Sequence, residues 1–324
     1  MEDTNLLLKT EDLKKYFISK KFLSERTVLK AVDGVDLEIH PHETVGLVGE
    51  SGCGKSTLGR AILKLHEPTS GKIIFKGEEI QDYKFNQMRE IRRQMQMIFQ
   101  DPFASLNPRY NVLQAVKAPL DVAGIGTPQE RTEKALEMLS YVGLNESFAE
   151  KYPHEMSGGQ RQRVVIARAM ILEPDFVVCD EPVSALDVSV RAQVLNLMKK
   201  VQSEKQVSYL FISHDLSVVR YLCDTVMVMY LGKIVESGTK EDIFERSAHP
   251  YTRALLSAIP IPDVAERPKR IVLEGDVPSP LNPPSGCHFR TRCPFATEEC
   301  AKIEPKLDVL EGKHKVACHF AGKI

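Results

Sequence analysis

Apolar positions at 35–39 and 44–48 form two short runs separated by Pro41 and His42, a pattern that predicts two strands around a turn. A glycine-rich stretch follows immediately, after which Leu58, Ala61, Ile62 and Leu65 recur three and four positions apart. That spacing predicts a helix over 56–65 with one buried face. Ser70 and Gly71 lead into a strand over 72–75, and the run 95–99 predicts another that ends at Gln100. From about 111 to 169 the period becomes helical: Ala135, Met138, Leu139 and Val142 share a stripe that Gly143 terminates. Strand-like runs at 176–179, 207–212 and 225–229 then alternate with a helix on which Val190, Val194, Leu197 and Val201 fall in register. Such alternation predicts an α/β fold, a parallel sheet with crossover helices.

Composition narrows the function classes. Lys and Arg total 43 against 44 Asp and Glu, a net charge of -1, so there is no general basic field and nucleic acid is not an expected partner. Hydrophobic residues at 43% and charged residues at 27% are ordinary for a globular chain and argue against disorder. No run approaches the roughly 18 apolar residues of a membrane span. Residues 1–15 are acidic where an export signal would be basic and then apolar, so the expectation is a cytosolic protein. Residues 260–324 hold nine of the 19 prolines and four of the seven cysteines, a shift that marks a separate tail.

Gly49-Glu50-Ser51-Gly52-Cys53-Gly54-Lys55-Ser56 has the spacing G-x-x-x-x-G-K-[ST] between an expected strand and an expected helix, the context a phosphate-binding loop requires. Glycines let successive backbone N–H groups turn inward around phosphates, the helix N-terminus adds its dipole, and Lys55 supplies a mobile point charge. Ser56 is the expected magnesium ligand, and Thr57 completes the ATP-binding stretch. Asp180 and Glu181 follow the apolar run 176–179, placing two carboxylates where a buried strand emerges at the ligand-binding edge of an open α/β sheet. Asp180 is assigned to the metal and Glu181 to polarising the water that attacks the γ-phosphate. Alone, the pair would read equally well as a solvated acidic turn; beside a phosphate loop it reads as catalytic.

Ser157-Gly158-Gly159-Gln160, followed by Arg161-Gln162-Arg163, opens another helix with a serine suited to the N-cap, a second potential anion site 102 positions after Lys55. With the phosphate loop, the Asp180-Glu181 pair, Ser184-Ala185-Leu186-Asp187 and His214 after a strand, the order of motifs over about 6–238 resembles an ATP-binding cassette (ABC) ATPase. The resemblance implies a P-loop NTPase of the ABC type with an antiparallel β subdomain, a helical subdomain inserted at about 101–170 and a Cys-bearing C-terminal extension. The cassette is expected over 1–259 and the extension over 260–324.

The same resemblance assigns Gln100 to a loop that senses magnesium, the attacking water and the membrane partner, and His214 to the γ-phosphate. It makes Phe17 the adenine-stacking residue, with Tyr16 as competitor, and puts Asp187 in a dimer-interface loop. Met156 stands where the family usually has leucine, a change of similar volume. The family packs two cassettes head to tail, so that each ATP lies between the Lys55 loop of one and the Ser157 motif of the other.

Gln100-Asp101-Pro102-Phe103-Ala104-Ser105-Leu106-Asn107-Pro108-Arg109 and His249-Pro250-Tyr251-Thr252-Arg253 closely resemble the ATPase subunits of dipeptide and oligopeptide importers, their F-type subunit in particular. That implies ATP-driven peptide import at the cytoplasmic face of the membrane. The implied partners are a second, paralogous ATPase, two permeases and an extracytoplasmic peptide-binding protein. Relatives move nickel, sugars or other solutes. The competing class, a soluble cassette in DNA repair or translation, carries long insertions or a second cassette, and neither is present in the sequence.

Cys287, Cys293, Cys300 and Cys318 lie within 32 residues, without the C-x-x-C pairs of a zinc ribbon. Four converging thiolates suit an iron–sulfur cluster or zinc. Similar tails in peptide-importer ATPases imply a four-iron, four-sulfur cluster first; four unpaired thiols are the plain alternative, and His288, His314 or His319 could replace one ligand. Cys53, Cys179 and Cys223 read instead as small packed residues.

Overall fold

The computed structural model describes residues 6–19, 27–259 and 271–323. Residues 260–270 and 324 of the expected tail lie outside the described residues. The strands are β1 (Leu8–Ser19), β2 (Thr27–Ile39), β3 (Thr44–Val48), β4 (Ser70–Phe75), β5 (Glu78–Glu79), β6 (Met95–Ile98), β7 (Phe176–Asp180), β8 (Ser208–Ser213), β9 (Thr225–Tyr230), β10 (Lys233–Thr239), β11 (Asp308–Glu311) and β12 (His314–Val316). The chain forms two compact units, one of Met1–Ile39, Thr44–Gln81 and Ser213–Ile324, the other of His40–Glu43 and Asp82–Ile212.

The first unit holds an antiparallel sheet of order β2-β1-β4-β5. It also holds a run of strands in which β3 pairs in parallel with β9, and β10 pairs antiparallel with both β9 and β12. Its core is built from Leu8, Leu13, Leu37, Ile39, Val45 and Leu47, all at most 1% exposed. The helix after the glycine loop spans Lys55–Ile62 and buries Leu58, Ala61 and Ile62. It is shorter than the 56–65 expected: Lys64 takes a positive φ of 49°, and Leu65, beyond the helix, is 47% exposed instead of lying on the buried stripe.

In the second unit β7 pairs in parallel with both β6 and β8, with Val178 opposite Met97 and Cys179 opposite Phe211. Every residue of β7 and β8 is buried, as parallel strands covered on both faces require. The helical stretch contains Val112–Ala123, Pro128–Tyr141 and Gly158–Met170. Ala135, Met138, Leu139 and Val142 are all buried, and Gly143 takes the positive φ of 78° that stops the helix. On Val188–Lys205 the expected stripe holds at Val194, Leu197 and Val201, whereas Val190 is only half-buried.

Two groups of strands escape the periodicity. β1 carries charged residues and register shifts after Thr10 and Leu13, so its side chains do not keep a clean two-residue alternation. The hairpin β11–β12 carries four exposed residues on β11. It is held by pairing of Val316 with Glu236 on β10, and by the buried contact of His314 Nε2 with the Glu236 carboxylate at 2.8 Å. The same carboxylate accepts from the backbone N–H groups of Ala248 and His249.

Candidate nucleotide site

The loop after β3 has the shape its glycines dictate. Gly49, Gly52 and Gly54 take φ of 154°, 81° and 112°, values that residues bearing a Cβ rarely adopt. Gly54 stands at the N-cap of the Lys55 helix. Lys55 is buried at 5% exposure, and its ammonium donates to the carbonyls of Gly49 at 2.7 Å and Glu50 at 2.9 Å. The loop thus holds its cation in place through its own backbone. Cys53 is buried, and burial pushes its thiol up, which keeps it a neutral packing residue.

Part of the loop's support was not foreseen from sequence. The Glu50 N–H donates to the Tyr251 hydroxyl at 2.9 Å. Both Glu50 carboxylate oxygens accept from the guanidinium of Arg292, at 2.7 and 3.1 Å. Glu50 falls at a variable position of the motif and Arg292 lies 242 positions away, so no local pattern connects them.

Phe17 and Tyr16 diverge, as successive strand residues must. The Tyr16 hydroxyl donates to Asp33 in a short hydrogen bond, and its ionisation is suppressed by partial burial and by that carboxylate. Phe17 is 38% exposed, with Lys15 5.0 Å from its ring centre and His66 edge-on at 5.6 Å. Of the two aromatics, Phe17 presents the more accessible ring. His214 is exposed just past β8, before Asp215 caps the helix Leu216–Leu222 through its side chain.

In the second unit Asp180 ends β7 fully buried. Glu181 follows with a left-handed φ of 46°, a conformation that costs a non-glycine residue about 1–2 kcal/mol. Several contacts hold it there: its N–H donates to Ile212 O at 3.0 Å, its carbonyl accepts from the Ser184 hydroxyl at 3.0 Å, and its carboxylate accepts from the Gln100 side-chain amide at 3.0 Å. The structure therefore brings Gln100 and Glu181 together.

Ser157 caps the helix Gly158–Met170 in a reciprocal box with Gln160: the Ser157 N–H donates to Gln160 Oε1 at 3.0 Å and the Gln160 N–H to Ser157 Oγ at 3.4 Å. Ser157 and Gly158 are exposed while Gly159 is buried, where a Cβ would come within 2.3 Å of Val190. The glycine is required by close packing there. Met156 is buried at 4%, as its replacement of a leucine requires. Asp187 is exposed at the N-cap of Val188–Lys205.

Cys287, Cys293, Cys300 and Cys318 line one small cavity together with His249 and Phe289. No cysteine in the described chain is in a disulfide. Burial, reinforced by the neighbouring thiols, pushes Cys287 up to about 11, and burial raises Cys293 and Cys318 as well. Among the described residues, no group of three or more His, Cys, Asp or Glu side chains stands in metal-holding geometry. The thiols share a cavity without forming a ready ligand cage. Cys179 and Cys223 are buried as expected.

The fold and its loop are those of an ABC ATPase cassette, and comparison with known proteins agrees. Residues 32–184 match the ABC transporter family, and residues 235–300 match the oligopeptide/dipeptide transporter C-terminal region. The oligopeptide transport ATP-binding protein AppF of Bacillus subtilis is 51% identical over 319 residues, 97% of each chain. OppF of Salmonella typhimurium, also an oligopeptide transport ATP-binding protein, is 50% identical over 98% of this chain and 97% of its own. Among solved structures, a dimeric post-hydrolysis ATP-binding cassette bound to ADP and Pi superposes with a TM-score of 0.64 at 30% identity, covering 72% of this chain and 98% of that one. The cassette cbiO1 of Clostridium perfringens, part of an ABC transporter complex, reaches 0.64 at 28% identity, covering 75% and 92%. The chain belongs to the ATP-binding subunits of ABC transporters, in their oligopeptide/dipeptide branch, and is an ATPase. Among the described residues no helix is long and apolar enough to cross a membrane.

Proposed function

We propose that this chain energises import of di- or oligopeptides through a membrane ABC transporter, working at the cytoplasmic face beneath two permeases. The observation that carries the reading is the end-to-end likeness to oligopeptide transport ATP-binding proteins, extension included. Its ATPase partner is a paralogue in this reading, and an extracytoplasmic peptide-binding protein delivers the solute. A groove of about 580 Å³ in the second unit supports a permease contact. Its wall exposes Phe85 and Val122 at 74% and 75%, beside Arg89 and Arg93, which donate to the carbonyls of Val122 and Ala123. Exposed apolar side chains in a basic-rimmed groove suit insertion of a partner segment.

The residues take the following roles in this reading. Residues 49–57 hold the phosphates, with Lys55 exchanging loop carbonyls for phosphate oxygens. Ser56, Gln100 and Asp180 would hold magnesium, which would neutralise charge on the phosphates. Glu181 accepts a proton from a water as its oxygen attacks the γ-phosphorus. The bond from that phosphorus to the β-phosphate oxygen breaks, giving ADP and phosphate, and His214 contacts the γ-phosphate. Phe17 stacks on adenine. Ser157, Gly158, Gly159 and Gln160 of the second cassette close over the same nucleotide, with Asp187 at the seam. Loss of the γ-phosphate removes a contact made to both halves, so the closed dimer loses its advantage and opens.

The decisive experiment reconstitutes the chain with its native permeases and paralogue in vesicles and follows labelled peptide. ATP-dependent peptide uptake is expected. Uptake of nickel or a sugar instead would replace the solute, and purification with ribosomes or damaged DNA in place of permeases would favour the soluble class.

For the four cysteines that line one cavity we propose a four-iron, four-sulfur cluster, with zinc as the alternative. The four thiols that line this one cavity are donors of the kind a cluster takes as thiolates, but among the described residues they do not stand in metal-holding geometry, so loading requires them to draw together. When bound, it would cross-link the extension or supply a one-electron centre. Anaerobically purified protein is expected to carry about four irons per chain and broad visible absorbance, both lost in Cys300→Ser. Zinc alone would select the alternative, and metal-free protein would leave four thiols.

A further inference from the structure

We propose that Arg292, from the cysteine-bearing extension, is a positioning residue for the phosphate loop: it holds Glu50, neutralises its carboxylate and thereby sets the loop's readiness for a polyanion. The proposal rests on the nucleotide reading of residues 49–57 and extends it to a residue outside the motif.

Three observations carry it. The first is the two-pronged contact itself. Arg292 donates through two nitrogens to the two oxygens of Glu50, and its side chain is 8% exposed. An exposed ion pair is worth little. A bidentate guanidinium–carboxylate pair whose guanidinium is buried, with the Glu50 side chain 27% exposed, fixes direction as well as distance. Hydrogen bonding to Glu50 holds the guanidinium firmly protonated.

The second is the anchorage of Arg292. Its N–H donates to Phe289 O at 3.0 Å, closing the turn that carries both residues. Phe289 is 1% exposed, edge-on to Tyr230 with ring centres 5.3 Å apart, and 5.3 Å from the ring of Tyr251. Tyr251 in turn accepts from the Glu50 N–H. Both ends of Glu50, its amide and its carboxylate, are therefore held by one aromatic-anchored assembly.

The third is electrostatic. Glu50 is the second residue of a loop whose lysine and inward amides suit phosphate, so an unpaired carboxylate there would repel the ligand. Arg292 removes that charge. A free Glu50 would also loosen the loop, because the Lys55 ammonium is bound to the carbonyls of Gly49 and Glu50.

The test measures MgATP affinity and hydrogen exchange of the peptide covering 49–56 in nucleotide-free protein. Arg292→Ala is expected to raise Kd about 10-fold, to flatten its salt dependence, because salt then screens the uncovered repulsion, and to speed exchange of the loop. Arg292→Lys, which keeps the charge but not the fork, should recover part of the affinity. In a Glu50→Gln background the further loss on Arg292→Ala should shrink to less than about twofold, because no carboxylate is left to neutralise. Affinity, salt dependence and exchange all unchanged in Arg292→Ala would overturn the proposal. So would an Arg292→Ala effect that persists undiminished with Glu50→Gln, since that reports only a loosened extension. Native protein that binds no ATP, while Arg292→Ala still speeds loop exchange, would fail the nucleotide reading and leave the bracing of the loop standing.

Discussion

Glu181→Gln is expected to bind MgATP with native affinity, to lose turnover by roughly 10²–10⁴-fold and to accumulate as an ATP-bound dimer. The substitution keeps the shape of the side chain and removes its capacity to accept a proton. Backbone effects should be small, because Gln meets the left-handed φ of 46° at this position under the same constraints as Glu. The carbonyl contact to Ser184 and the N–H contact to Ile212 involve main chain and are untouched. The loss should therefore fall on the chemical step alone. Single-turnover phosphate release, with size-exclusion chromatography in ATP, measures both consequences. Phosphate release near the native rate would remove Glu181 from the role of base.

Gly49→Ala is expected to cost about 3 kcal/mol or more of stability and to abolish nucleotide binding. The reason is geometric. At φ 154° a Cβ on Gly49 would stand 2.2 Å from the carbonyl oxygen of Met229 on β9, backbone that cannot swing aside. Because β9 pairs in parallel with β3, relief would require parting two core strands. Gly52→Ala supplies the contrast, since its φ of 81° is also positive but nothing lies within 4 Å of the added atom. It should lose only about 1 kcal/mol. Lys55→Ala should leave the fold in place and lose binding alone. Thermal unfolding and nucleotide titration of the three variants separate these effects. Equal destabilisation by Gly49→Ala and Gly52→Ala would discard the close-approach argument.

Much of the framework is legible in the sequence because it is local. The glycine loop lies between a short apolar strand and a helix with three-and-four spacing, and the structure has β3, the loop and the helix Lys55–Ile62 in that order. The Ser157 cap is equally local, since its partner Gln160 is three residues on. The helix Phe85–Gln94 is less visible, because only Met88 and Ile91 among its ten residues are buried and the periodic signal is weak. β1 is hidden by register shifts that break alternation. The environment of Glu50 is illegible for a different reason. A carboxylate at a variable loop position acquires meaning only from Tyr251 and Arg292, which chain folding brings from 201 and 242 positions away. The cysteines stand between these cases: spacing suggests that they gather, and the fold gathers them, yet spacing gives no ligand geometry.

The long reach from Glu50 to Arg292 also bears on how the molecule is made. Synthesis runs from the N-terminus, so β3, its loop and the β9 strand that backs them are all made while Arg292, the outer brace, is still untranslated. Nascent chains, and products of premature termination before position 292, would then carry a loop of native sequence with a slack grip. The full bracing of the loop would arrive only with the last tenth of the polypeptide.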